Sequence, residues 1–329
     1  MRKALSHAQD MALAPRAWPW ASAPRGPNNA QPKVQAWANR SRLARSRRYS
    51  WRSPETEFSW SGTDVRPAKE VTRLRLKCYA GSMKLGLKDK RVLVTGGSRG
   101  LGRAICQVLA ASEARVAFTY AADDQGASET LRLLAQAGSH ALAEKVDACD
   151  ADATHALAER LEKDWGGVEV LINNAGITQA LPFALLDADD WDVMMRVNTR
   201  GPFVTTQALL RGMIRRRAGV VLNIGSLAGS RMLDAPIHYS ASKTALVGLT
   251  RALARQVSRY SIRVNCLAPG LLEGGVGDAV PAYRVDDYVS HCALGRLGTF
   301  DEVARLAAFM VSERSSYMNG EVVVVDGGL

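Results

Sequence analysis

From Arg91 onward the chain alternates between two hydrophobic patterns. Short, nearly all-apolar runs ending in glycine or polar turns suit strands buried on both faces of a sheet. Between them lie longer stretches whose apolar positions recur with helical spacing. The pattern predicts strands at 91–97 (RVLVTGG), 114–120 (ARVAFTY), within 140–148, at 168–176 (VEVLINNAG), 219–226, 262–270 (IRVNCLAPG) and 321–328. It predicts helices over 101–111, 126–137, 152–164, 188–216, 237–259 and 300–312, with an irregular stretch after 270. Strands alternating with helices in this way predict an α/β fold, a single doubly wound domain with a mostly parallel sheet. Residues 83–329 provide enough chain for one such domain.

The first 82 residues break the pattern. Leu, Ile, Val and Phe number 9 among them, too few to make a core, while five of the seven Trp and seven of the twelve Pro fall here. The chain carries a formal net charge of +11, and all of that excess lies in this segment. The rest is neutral overall, with no general reason to seek nucleic acid. Residues 1–82 are therefore expected to be a disordered basic extension. Three readings suit it: sequence upstream of a true start at Met83, a targeting peptide, or a tail whose Arg and Trp bind single-stranded nucleic acid.

Composition excludes other classes. No apolar run is long enough for a membrane-spanning helix. The five cysteines, at 78, 106, 149, 266 and 292, show neither CxxC nor paired Cys/His spacing. No metal site is expected, and the cysteines suit a reducing compartment, with the cytoplasm the expected location.

Two constellations carry chemistry. Thr95-Gly96-Gly97-Ser98-Arg99-Gly100-Leu101-Gly102 lies between the first strand and the first helix. Glycines there let a pyrophosphate approach the backbone, and the helix N-terminus offers unpaired N–H groups. The second strand ends in Thr119-Tyr120, where an NAD site usually places an acid; Asp123 and Asp124 come later. Arg99 could meet a 2′-phosphate, which favours NADP(H) over NAD(H). Asp147, after the third strand, could accept a hydrogen bond from the adenine amino group, or simply open the next helix.

The second constellation is Tyr239-Ser240-Ala241-Ser242-Lys243. Tyr and Lys four apart share one helical face. A nearby ammonium lowers a phenol's pKa and fits it to exchange a proton with a substrate oxygen. Ser226, at the end of the fifth strand, could hold that oxygen. Asn198, on the long helix before it, could anchor a water linking Lys243 to solvent.

Together these motifs resemble the short-chain dehydrogenase/reductase family in its classical branch, over residues 88–329. Thr95–Gly102 matches its TGxxxGxG loop, and Asn173-Asn174-Ala175-Gly176 its NNAG turn. Asn198, Ser226, Tyr239 and Lys243 match its catalytic tetrad, and Pro269-Gly270 its PG turn. The resemblance implies a Rossmann fold. It implies Tyr239 as general acid in reduction, with Lys243 lowering its pKa and binding the nicotinamide ribose. It implies a cofactor site of Thr95, Gly96, Ser98, Arg99, Gly100, Leu101, Gly102, Tyr120, Asp147, Ala148, Asn174, Ala175, Gly176, Tyr239, Lys243, Pro269, Gly270 and Leu272.

Within the family, VNCLAPG (264–270), LGRLG (294–298) and the ending VDGGL (325–329) are most similar to 3-oxoacyl-(acyl-carrier-protein) reductases. That similarity implies NADPH-dependent reduction of a β-ketoacyl thioester in fatty-acid or polyketide synthesis. Arg217 and Arg259, with Arg215 and Arg216, fall where such reductases receive the carrier protein; a solvated helix end explains them as well. The family also implies a homotetramer built on the helices at 188–216 and 237–259; Met194, Met195, Phe203, Val204 and Leu209 would suit that interface, and buried core explains them as well. One departure is Gly274, in Gly274-Gly275-Val276-Gly277, where the family usually has a Thr touching the cofactor. Two alternatives stay open: the same chemistry on another ketone or secondary alcohol (acetoacetyl-CoA, a sugar or a steroid), and a non-catalytic NADP(H) sensor with a nucleic-acid-binding tail.

Overall fold

A computed structural model of the protein describes residues 85–329. The expectations for residues 1–82 lie outside the described residues.

Seven strands form one sheet in the order β3-β2-β1-β4-β5-β6-β7, every neighbouring pair parallel. They are β1 (Arg91–Thr95), β2 (Arg115–Tyr120), β3 (Leu142–Lys145), β4 (Val170–Asn173), β5 (Gly219–Ile224), β6 (Ile262–Pro269) and β7 (Val322–Val325). The helices are α1 (Gly100–Ala111), α2 (Asp124–Gln136), α3 (Ala151–Trp165), α4 (Ala188–Met195), α5 (Gly201–Arg216), α6 (Ile237–Val257), α7 (Ala282–His291) and α8 (Phe300–Val311). The expected doubly wound Rossmann architecture is the one observed.

Alternation along each strand builds two cores. Val92 and Val94 point to one face, where Ile105 and Leu109 of α1, Leu134 of α2 and Val303 and Ala307 of α8 cover them. Leu93 points to the other, against Leu157 and Leu161 of α3, Leu209 and Met213 of α5 and Ala254 of α6. Strands buried on both faces read as continuous apolar runs, which is why the sequence pattern located them. Local signals fix helix ends: Asp187 and Asp190 close a capping box on α4, and Thr299 and Glu302 close another on α8.

Two elements differ from expectation. The stretch after 270 contains α7, which begins directly after Pro281. It is ten residues long and buries none of them fully. The run 188–216 is interrupted by a π-helical turn at Arg196–Arg200, which carries Asn198. One extra residue in the turn shifts the helix register, a change that hydrophobic spacing does not record. The chain order reverses between β1 and β4, so a crevice opens at the carboxyl ends of these strands.

Candidate active site

The glycine loop leaves β1 and enters α1 in that crevice. Gly96 has φ +69°, and a Cβ on it would lie 2.9 Å from Cα of Ala175. A Cβ on Gly102 would lie 2.0 Å from the Gly96 carbonyl oxygen, so the turn and the helix touch through bare backbone. No side chain caps the N-terminus of α1, whose first turn carries no acid. Uncapped N–H groups in a cradle of glycines fit a dinucleotide pyrophosphate. Arg99 stands exposed on the rim, and among the described residues no ion pair or hydrogen bond engages its guanidinium.

Several residues expected to touch the cofactor shape the loop from behind. Thr95 is buried, and its hydroxyl accepts hydrogen bonds from the backbone N–H groups of Asn174 and Ala175, each at 3.0 Å. The Asn174 amide donates to the carbonyls of Thr95 and Gly96, both at 3.0 Å. The NNAG turn thus ties β4 to the glycine loop. The first Asn of that turn, Asn173, reaches across the sheet to Asn223 and Thr206.

Arg103, which sequence reasoning passed over, braces the loop from α1. It donates to the Ser98 carbonyl at 3.2 Å, to Thr130 Oγ1 at 2.9 Å and to the Gly126 carbonyl at 3.1 Å. A cation in the first turn of a helix opposes the helix dipole, and that misplacement was the available signal.

At the end of β2 no acid awaits a ribose. Tyr120 occupies the place, hydrogen-bonded to Asp124, which raises the phenol's pKa together with burial. Asp124 pairs with Lys145 at 2.8 Å, and Asp123 caps α2 by accepting from Gly126 N. Both late acids are therefore occupied. Asp147 accepts from the Cys149 backbone N–H at 2.9 Å, the local turn that precedes α3. Ala148 lies beside Gly201 at the start of α5.

The catalytic candidates meet at the other side of the crevice. Ser226 follows β5, and its hydroxyl accepts from Ala228 N at 3.2 Å. Burial pushes the Tyr239 phenol above its ordinary pKa, and the Ser226 hydroxyl pulls the other way. Lys243 lies one turn along α6, its ammonium 5.8 Å from the centre of the Tyr239 ring. It is 5% exposed and donates to the Ile224 carbonyl at 2.9 Å. Burial lowers its pKa to about 8.

Asn198 is tied to its neighbours in the protein. Its side chain is fully buried, accepts from Ile177 N at 2.9 Å and donates to Ile177 O and Ser242 Oγ, both at 3.0 Å. The side chain holds the loop after β4 against α6, and protein groups take its polar atoms. A parallel tie runs from Asp190 through Gln179 to buried His238, at 2.7 and 3.2 Å.

Ser226, Tyr239, Lys243, Leu101, Pro269, Gly270 and Leu272 all line one cleft of about 740 Å³. Its remaining walls are mainly apolar and come from the loop at 227–236, the segment 271–281 and α7. Tyr288 of α7 sits against the PG turn: a Cβ on Gly270 would lie 2.1 Å from its hydroxyl, which donates to the Asp326 carbonyl at 3.1 Å. At the mouth Arg284 of α7 pairs with Asp234 at 3.1 Å, and His291 is exposed beside Asp287.

Comparison with known proteins accords with this geometry. A family model described as enoyl-(acyl carrier protein) reductase matches residues 96–329. The 3-oxoacyl-(acyl-carrier-protein) reductase FabG of Chlamydia muridarum is 32% identical over 243 residues, 74% of this chain and 98% of that protein. The FabG of Aquifex aeolicus is 32% identical over 247 residues, 75% of this chain and 100% of that protein. The chain belongs to the short-chain dehydrogenase/reductase family. Among solved structures, a short-chain dehydrogenase/reductase from Serratia marcescens superposes with a TM-score of 0.68 at 34% identity, covering 74% of this chain and 98% of that one. A gluconate 5-dehydrogenase from Burkholderia cenocepacia, in complex with NADP and tartrate, gives 0.71 at 32% identity over 75% and 97% of the two chains.

As a short-chain dehydrogenase/reductase, the protein is an oxidoreductase of a family that uses a nicotinamide cofactor. Two expectations drawn from that family meet this geometry as follows. Met194, Val204 and Leu209 lie in the core, at 1%, 4% and 6% exposure, so the buried-core alternative holds for them; of the five interface candidates only Phe203 is exposed, as are Trp191 and Val193 of α4. Helical period alone does not say which of two apolar faces meets the sheet. The arginines lie away from the cleft. Arg217 donates to the Arg259 carbonyl at 3.1 Å, so the two are neighbours. They precede β5 and β6, at the opposite end of the strands from Ser226, about 20 Å along a six-residue strand. Arg215 and Arg216 both pair with Glu162 of α3.

Proposed function

We propose that the protein reduces the β-keto group of an acyl thioester with NADPH. The observation that carries the reading is the meeting of Ser226, Tyr239 and Lys243 in one cleft with Leu101 of the glycine loop. NADPH, when bound, supplies the hydride that the β-carbon accepts. Tyr239 donates its phenolic proton to the carbonyl oxygen as that oxygen gains negative charge. Its raised pKa keeps the phenol protonated at neutral pH, the form a general acid needs. Ser226 holds the same oxygen by a hydrogen bond. Lys243 sets a positive charge beneath the phenol and orients the ribose. The residues expected at the cofactor, from Gly96 to Gly102 and from Gly176 to Leu272, would hold it along the carboxyl ends of β1, β4 and β6.

The preference for NADPH is supported by Arg99 on the loop rim and by the absence of an acid at the end of β2 among the described residues. The FabG relatives and the mainly apolar cleft support an acyl thioester. The carrier protein, the homotetramer, the cytoplasmic location and residues 83–329 as the functional unit belong to the same proposal. A carrier docked on Arg217 and Arg259 would serve a cleft about 20 Å away or one on a neighbouring copy.

The match to an enoyl-(acyl carrier protein) reductase family favours a second reading, reduction of an enoyl thioester. NADPH oxidation by the full chain should be followed with acetoacetyl-CoA and with crotonyl-CoA, and with NADH in place of NADPH. Turnover of acetoacetyl-CoA that Tyr239→Phe abolishes supports the proposal. Turnover of crotonyl-CoA alone replaces it with the second reading. Binding of NADPH without turnover of either moves the substrate to another carbonyl class.

A further inference from the structure

The glycine-rich stretch after β6 is unexplained by the site as described. Gly274 and Gly275 have φ of +90° and +66°, backbone that only glycine adopts without strain. Both turn toward one side chain. A Cβ on Gly274 would lie 3.4 Å from Cζ of Phe300, and one on Gly275 would lie 3.2 Å from it. The other side of the same ring edge meets the glycine loop, where a Cβ on Gly100, at φ +53°, would lie 3.5 Å from Cζ. Three glycine backbones from two separate segments thus close on the tip of one aromatic ring.

Phe300 is well placed to hold them. It is the first residue of α8, whose start is fixed by the Thr299–Glu302 capping box, so the ring stands on a rigid element. It is half-buried and lines the cleft with Leu101, Leu272 and Gly277. The turn that follows Gly274 has local hydrogen bonds, Gly277 N to Gly274 O at 3.1 Å and Val280 N to Gly277 O at 3.0 Å. Backbone bonds fasten the entry of the turn, Glu273 N to Gly298 O at 2.9 Å and Gly298 N to Leu271 O at 3.1 Å, whereas the bonds beyond Gly274 are local. Apolar contact with the ring supplies a second fastening, and Gly100 lies at the N-terminus of α1, where a pyrophosphate would bind.

We propose that Phe300 is a cofactor-positioning residue: its ring clamps the turn at 274–280 to the dinucleotide loop, so that the turn covers the bound dinucleotide. Glycine at 274 and 275 is what lets the turn lie on the ring. The proposal rests on the reading of this crevice as a dinucleotide site.

The test uses the full chain, with Phe300→Ala and Phe300→Leu. NADPH affinity is measured by nicotinamide fluorescence, and hydrogen exchange of amides 274–280 is followed with and without NADPH. In the parent chain NADPH should slow exchange in the turn. In Phe300→Ala that protection should vanish and Kd should rise about tenfold, with Leu intermediate and the melting temperature little changed. Unchanged Kd and protection in Phe300→Ala overturn the proposal. So does a lower melting temperature with unchanged Kd, which marks a structural ring, and so does tighter binding, which marks a ring in the dinucleotide's place. A parent chain that binds neither NADPH nor NADH overturns the dinucleotide reading along with it.

Discussion

Lys243 donates its ammonium proton to the carbonyl of Ile224, the last residue of β5, at 2.9 Å. That one bond fixes the buried cation to the strand that delivers Ser226 two residues later. Burial holds the Lys243 pKa down at about 8, against an ordinary value of 10.5. Raising the pH through 8 therefore removes the charge from the site while the Tyr239 phenol, itself pushed upward, keeps its proton. The rate of ketone reduction should fall above about pH 8, as read from kcat/KM between pH 6 and 10. Unfolding driven by this lysine cannot be the cause. Between pH 8 and 10.5 the folded chain binds fewer protons at Lys243 than the unfolded chain, so this group's share of stability rises with pH.

Tyr239→Phe removes the proton donor and keeps the ring. It should lower kcat by a factor of about 10² to 10⁴, the usual worth of a positioned acid. Affinity for NADPH, measured by fluorescence titration, should change little. Equal losses in both would place Tyr239 in binding and not in proton transfer.

Arg99→Ala tests the cofactor preference. A hydrogen-bonded ion pair with a 2′-phosphate is worth about 1.5–3 kcal/mol, so kcat/KM for NADPH should fall roughly 10- to 100-fold. The value for NADH, which lacks that phosphate, should hardly move. Parallel losses with both cofactors would remove Arg99 from the discrimination.

Asn198→Ala should act first on stability. It strips partners from the Ile177 N–H and C=O and from the Ser242 hydroxyl, all behind the catalytic turn. A cost of about 3 kcal/mol follows from leaving such groups unpaired. Thr299→Ala, which loses one capping bond at α8, should cost about 1 kcal/mol. Thermal melts of the two variants rank them, and a smaller loss for Asn198→Ala would reject the tie it is assigned here.

The reading of strands from sequence succeeded where burial was two-sided. Val92, Val94, Leu171 and Ile172 are apolar because helices cover both faces of the sheet, and such runs announce themselves. The glycine loop and the Tyr239–Lys243 pair were legible for a related reason: both are local in sequence, spanning eight and five residues. Phe300 was not legible as part of the site, because its partners Gly100 and Gly274 lie far from it in the chain. The same holds for Arg103, whose partner Thr130 belongs to the next helix.

The order of elements, the parallel doubly wound sheet, the family and the candidate residues for the chemistry were all legible along the chain. Short-range spacing and two-sided burial encode these. Tertiary structure alone decided what each polar group faces. It turned the Thr95 hydroxyl inward to Asn174 and Ala175, took up Asn198 in holding Ile177, and put Arg217 and Arg259 at the far end of β5 and β6 from Ser226. It also set the balance at the Tyr239 phenol, where burial prevails over the opposing pull of Ser226. The reason is physical: a side chain's partners and its desolvation depend on which distant segments pack around it, and periodicity along the chain records only which positions are buried.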